Sequence, residues 1–102
     1  MVRFLVLYDQ PRDPAAFDRH YRDVHIPLTK QLPGLRRYTL SRDAAAVRGG
    51  KCYYLVAELD WDDMAALQQA FQSPQGQAAA TDVPNLATTG VMSMIYELEE
   101  AL

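Results

Sequence analysis

The residues best suited to chemistry are two histidines, His20 and His25, in the segment Phe17-Asp18-Arg19-His20-Tyr21-Arg22-Asp23-Val24-His25. An imidazole titrates near neutrality, so it can take or give a proton at pH 7 without a bound metal. On a regular helix with Phe17 at zero, Tyr21 falls at about +40°, Val24 at about −20°, His20 at about −60° and His25 at about +80°. Both histidines then flank an apolar stripe of Phe17, Tyr21, Val24 and Leu28. A ring at such a border is partly desolvated, which favours its neutral form and suits a general acid or base. The bland alternative is a border histidine satisfied by a backbone carbonyl or a helix end. The two rings are about 140° apart around the helix, whereas helical metal ligands sit three or four residues apart, so a shared metal is not expected. His25 and His20 are the catalytic candidates. Tyr21, beside them, and Tyr8, at the carboxyl end of the first strand, are the candidates for substrate binding.

Nothing else in the chain competes for this role. No phosphate loop, paired-cysteine metal motif or Gly-x-Ser-x-Gly elbow occurs, and no cofactor or metal is expected. Cys52 reads as a small core residue, and Trp61, Met64, Met92 and Met94 as core around the second helix. Asp82 and the tail Glu97-Leu98-Glu99-Glu100 read as solvated charge.

The elements that must position the histidines follow from punctuation and periodicity. Val2 to Tyr8 is a β-branched and aromatic run that stops at Asp9-Gln10-Pro11, as a buried strand does. Asp13-Pro14 opens a helix, the carboxylate capping free N–H groups and the proline losing only an unpaired donor. Pro27 predicts a kink or restart, and Pro33-Gly34 ends the unit. Leu35 to Arg42 reads as a second strand, Ala44 to Gly50 as a loop and Lys51 to Trp61 as a third strand. Asp60 or Asp62 is expected to cap the next helix, with Met64, Leu67 and Phe71 as its stripe. Ser73-Pro74 starts a short further helix over Gln75 to Thr81, Pro84-Asn85 breaks the chain, and Val91 to Glu99 forms the last strand.

The order β-α-β-β-α-β is supported by an internal echo. At an offset of 50 residues Leu5, Val6, Asp13, Ala15 and Ala16 recur as Leu55, Val56, Asp63, Ala65 and Ala66, while Phe17 and Tyr21 meet Leu67 and Phe71. Two such halves make a ferredoxin-like α+β fold over residues 1–102, with a four-stranded antiparallel sheet, strands one and three central and both helices on one face. His20 and His25 correspond to Ala70 and Gln75, so the scaffold itself does not need imidazole there.

Both parities of the central strands are apolar. Phe4, Val6, Tyr54 and Val56 are assigned to one face and Leu5, Leu7, Leu55, Ala57 and Leu59 to the other, although a sheet wet on one side should alternate with polar residues. An uncovered apolar face implies a partner, so a homodimer with its two sheets packed face to face is expected. Arg36, Arg37 and Arg42 on strand two could also meet Glu97, Glu99 and Glu100 of a second copy, closing the edges into a barrel. A net charge of −3 leaves little to neutralise phosphates, so no nucleic acid is expected as a partner. The first ten residues hold too short an apolar run for a leader or a membrane span, which reads as a cytoplasmic protein with no membrane partner.

The stretch Phe17 to Leu28 with Leu32-Pro33-Gly34-Leu35-Arg36-Arg37-Tyr38, Ser73-Pro74-Gln75-Gly76-Gln77 and Asn85-Leu86-Ala87-Thr88 resembles the EthD family over essentially the whole chain. The resemblance implies a dimeric α+β barrel of ferredoxin-like subunits. It also implies association with bacterial degradation of organic compounds and a loose affiliation with oxidoreductases. Related barrels include cofactor-free monooxygenases, polyketide cyclases and lactone isomerases, which hold substrate between helices and sheet. The expected function is therefore a small organic ligand bound between helix one and the sheet. His25 would be the acid or base, with His20, Tyr21 and Tyr8 orienting the substrate. The alternative is a non-catalytic binding or accessory protein of an oxidative, P450-type catabolic pathway.

Overall fold

The computed structural model describes residues 1–102. Strand β1 (Val2–Tyr8) leads into α1 (Pro14–His20), a π-helical turn (Tyr21–His25) and the short α2 (Ile26–Thr29). Strands β2 (Arg37–Ala44) and β3 (Tyr53–Trp61) follow, then α3 (Met64–Gln72), α4 (Pro74–Leu86) and β4 (Val91–Glu97). The sheet is antiparallel in the order β2-β3-β1-β4, as a ferredoxin-like fold requires.

Both long helical segments start as their sequences dictate. Asp13 accepts a hydrogen bond from the Ala16 N–H at 3.1 Å, and Asp63 accepts one from the Ala66 N–H at 2.8 Å. The second cap is therefore Asp63 rather than Asp60 or Asp62. Asp60 is instead buried and accepts from Nε and Nη2 along one edge of the Arg3 guanidinium, at 2.8 and 3.0 Å. Ser73 ends α3 and caps α4, its hydroxyl accepting from the Gly76 N–H at 3.0 Å. The helix that begins there runs through Pro84 to Leu86 rather than stopping at Thr81. Pro84 costs it one hydrogen bond close to its end, where few remain to be lost.

The register corrects the assignment of faces. Phe4 lies opposite Leu59, Val6 opposite Ala57 and Tyr8 opposite Leu55, so these six share the helix-covered face. Leu5 and Leu7 share the open face with Val56, Met92 and Met94. The alternation within each strand was legible, but the pairing between strands decides which sets coincide, and a one-residue slip exchanges them. Met92 and Met94 are consequently exposed on the open face rather than packed around the second helix, and Cys52 is exposed just before β3. The core proper joins Val2, Leu55, Leu59, Trp61, Leu67 and Phe17 between sheet and helices. Trp61 is fixed there by donating to the Pro33 carbonyl at 2.9 Å.

Candidate functional site

Pro27 explains why the first helix does not follow a regular stripe. Its ring clashes with the carbonyl four residues earlier, that of Asp23, and it has no N–H for that acceptor. The chain widens one turn just before it, so that the Ile26 N–H reaches the Tyr21 carbonyl across five residues. In a regular helix, residues four apart drift by about 40° each step. The wider turn takes up that drift, and Phe17, Tyr21, His25 and Thr29 all face inward and are buried. Val24, expected near the middle of the stripe, is 39% exposed.

The inward face meets a cavity of about 360 Å³ between the helices and the sheet. Phe4, Val6, Tyr8 and Tyr38 line it from the strands, Tyr21, His25 and Thr29 from the first helical segment, and Gly76, Ala79, Ala80 and Val83 from the last. The small residues of α4 leave the room that larger ones would fill. Of the candidates, His25, Tyr21 and Tyr8 are brought together here. His20 is not, and lies on a second, more polar cleft with Arg12, Asp13 and Asn85.

Both histidines are nonetheless joined through a residue read from sequence as solvated. Asp82, on α4, is only 6% exposed, and its two carboxylate oxygens are divided between the rings. Nε2 of His20 lies 2.8 Å from Oδ1, and Nδ1 of His25 lies 2.9 Å from Oδ2. Asn85 donates a further hydrogen bond to Oδ1 at 3.0 Å. Burial alone would raise the Asp82 pKa, but the hydrogen bonds from Asn85, His20 and His25 outweigh it and hold the carboxyl below its ordinary range. Burial pushes the His25 pKa down, only partly offset by its bond to Asp82. An ionised carboxylate can only accept, so Nδ1 of His25 carries the hydrogen and neutral His25 keeps a free lone pair on Nε2. The histidine nitrogens bind opposite oxygens of the carboxylate, and no three side chains of this kind are set to hold a metal ion together.

The phenols complete the site. The Tyr21 and Tyr38 hydroxyls are 2.6 Å apart, so one donates to the other and one hydrogen of the pair remains free. The Tyr8 ring sits edge-on to both Phe17 and Tyr21, at 5.5 and 5.9 Å. Burial raises the pKa of Tyr8, Tyr21 and Tyr38, keeping all three protonated as neutral donors. Thr29 is 3% exposed and its Oγ1 has no hydrogen-bond partner. Leaving such a group unsatisfied costs about 1–3 kcal/mol.

Asp82, Tyr38 and Thr29 were missed as site residues. One signal for Asp82 was present: Gly76, Ala79, Val83 and Leu86 form an apolar stripe that continues through Pro84 and carries position 82 on the same helix.

A family model described as the EthD domain matches residues 9–90. The chain is 39% identical over 102 residues to an 11.0 kDa protein from the thcB-thcC intergenic region of Rhodococcus erythropolis, covering all of this chain and 98% of that one. It is similar to the crystal structure of an EthD family protein from Bacillus halodurans, with a TM-score of 0.87 and 38% identity over 97% of this chain and 99% of the other. A dimeric ferredoxin-like protein from Thermobifida fusca shares the fold, with a TM-score of 0.70 and 14% identity over 95% of this chain and 90% of that one.

Proposed function

The chain belongs to the EthD family, and from that premise we propose that it binds a small organic molecule in the cavity between helices and sheet and acts on it by proton transfer. The observation that carries this reading is the Asp82–His25 pair. A buried carboxylate fixes one ring nitrogen, and the other, on a residue that lines the cavity, is unprotonated at neutral pH. His25 is the acid–base residue. Tyr21, Tyr38 and Tyr8 are the donors that hold substrate oxygen. His20 does not reach the cavity; it is a positioning residue that holds Asp82 and connects it to the more exposed second cleft. Proton transfer of this kind serves an isomerase, a cyclase or a cofactor-independent oxygenase equally, in degradation of organic compounds.

The working unit is a homodimer. Leu5, Leu7, Val56, Met92 and Met94 form a contiguous apolar patch on the open sheet face, of the kind soluble proteins cover with a partner. Edge pairing through arginines has less support, since Arg36 and Arg42 already pair within the chain with Asp62 and Asp18. A solution mass of one chain at micromolar concentration would remove the dimer.

The deciding experiment incubates wild type and His25→Ala with a panel of small aromatics, ethers and lactones. The expected result is retained binding with turnover reduced roughly 10²–10⁴-fold, the range for loss of a general base. Undiminished turnover in the variant overturns the acid–base role. Binding without turnover by wild type favours a ligand-binding or accessory protein of an oxidative catabolic pathway.

A further inference from the structure

The polar groups of the cavity specify its occupant more closely than its size does. Tyr21, His25 and Thr29 recur at intervals of four along one inward helix face, which sets each about one turn from the next. None of the seventeen lining residues is Lys, Arg, Asp or Glu. Behind His25 lies the carboxylate of Asp82, already bonded to both histidines and Asn85. An anionic ligand would therefore be buried with no counter-charge among the lining residues and with a carboxylate close by. A cationic ligand finds no unbonded anion, since both Asp82 oxygens are taken.

Three groups on buried residues of the lining form no hydrogen bond within the protein: Nε2 of His25, Oγ1 of Thr29 and the hydroxyl of Tyr8. The first accepts a hydrogen bond and the other two donate. A hydroxyl answers both demands from one uncharged atom, giving its hydrogen to the imidazole and taking one from an alcohol or phenol donor. The aromatic and aliphatic walls, among them Phe4, Phe71 and Leu59, then require the rest of the molecule to be apolar.

We propose that the cavity selects an uncharged, largely apolar alcohol, phenol or enol, and that Thr29 is a specificity-determining residue which hydrogen-bonds the ligand oxygen while His25 receives its hydrogen. The inference rests on the reading of the cavity as the ligand site and adds the charge and functional group of what it takes.

Three probes with one ring system separate these claims: 2-naphthol, 2-naphthoate and protonated 2-naphthylmethylamine, each titrated into the whole protein at pH 7 by calorimetry and by amide chemical shifts. The expected result is 2-naphthol binding at least tenfold tighter than either charged probe, with shifts at residues of the cavity. Thr29→Val preserves shape and removes the unpaired hydroxyl. It should weaken 2-naphthol at least threefold while raising the melting temperature of the free protein, a combination that a purely structural threonine would not give. Equal or tighter binding of either charged probe overturns the selection for uncharged molecules. Unchanged 2-naphthol affinity in Thr29→Val overturns the role of Thr29. If no probe perturbs the cavity, the ligand-site reading itself fails, an outcome distinct from the other two.

Discussion

The first and second β-α-β halves begin alike and part company at the end of their first helix. Asp13 and Asp63 cap through the same acceptance from a backbone N–H three residues on, and Phe17 and Leu67 are buried at equivalent positions. Tyr21 and Phe71 both reach the cavity. Beyond that point the first half continues through a π turn, which keeps His25 and Thr29 facing inward. The second stops at Ser73 and restarts as α4. The restart carries Asp82 across to the two histidines, which the first helix alone could not have joined. Thus the repeated part of the sequence builds the scaffold and part of the cavity wall, and the histidines and Asp82 come from where the halves depart from the repeat.

The joint in the second half is the place where this comparison breaks most easily. Gly76 corresponds to Ile26 of the first half, yet a Cβ on Gly76 would overlap the Ala70 carbonyl oxygen and press on the Phe71 backbone. Backbone cannot move aside as a flexible side chain does. Gly76→Ala is expected to cost about 3 kcal/mol or more, read as a fall in the urea midpoint, because overpacking against rigid neighbours is among the costlier substitutions. A loss under 1 kcal/mol would mean that α3 and α4 are not held in this close approach.

The link between the halves is tested by pH. His25 and Asp82 both have folded pKa values below their ordinary 6.5 and 3.8. Each binds a proton less readily folded than unfolded, so each contributes stability that is complete above its ordinary value and is lost as pH falls through its folded one. The first loss begins below pH 6.5 and comes from His25; the second, near pH 4 and below, comes from Asp82. His25→Gln removes the first stage and leaves the second. At pH 7.5 the variant should be destabilised by roughly 1–2 kcal/mol for the lost hydrogen bond to Asp82. Between pH 7.5 and 5.5 its urea midpoint should change less than that of wild type, and an equal change would remove His25 from the linkage.

Much of this was legible in the residues. Caps, turn prolines and period-two runs placed the strands, both helix starts and the fresh start at Ser73-Pro74, because those signals act within a few residues of where they are read. Tyr8, Tyr21 and His25 were legible too, as polar groups on or beside apolar faces. The open apolar face was visible as an excess of hydrophobic residues, but its membership was not, since register is a property of two strands together. Asp82 was hidden because its burial depends on α4 passing through a proline and lying over the first helix. Thr29 and Tyr38 gave no local sign at all: one is turned inward by the π turn, and the other meets Tyr21 only across the core.

The smallest effect is also the sharpest test of how the first half differs from a plain helix. At 100° per residue Val24 falls near the centre of the buried stripe, where replacing valine by a polar side chain would cost on the order of 2 kcal/mol or more. The π turn rotates it outward to 39% exposure and gives its place to His25. Val24→Gln should therefore change the unfolding free energy by no more than about 0.5 kcal/mol, the range for substitutions at open surface positions. A large loss would restore the regular helix and with it a valine where His25 now lines the cavity. The widened turn is thus what converts a packing stripe into a row of tyrosine, histidine and threonine, and an exposed valine is its cheapest measurable consequence.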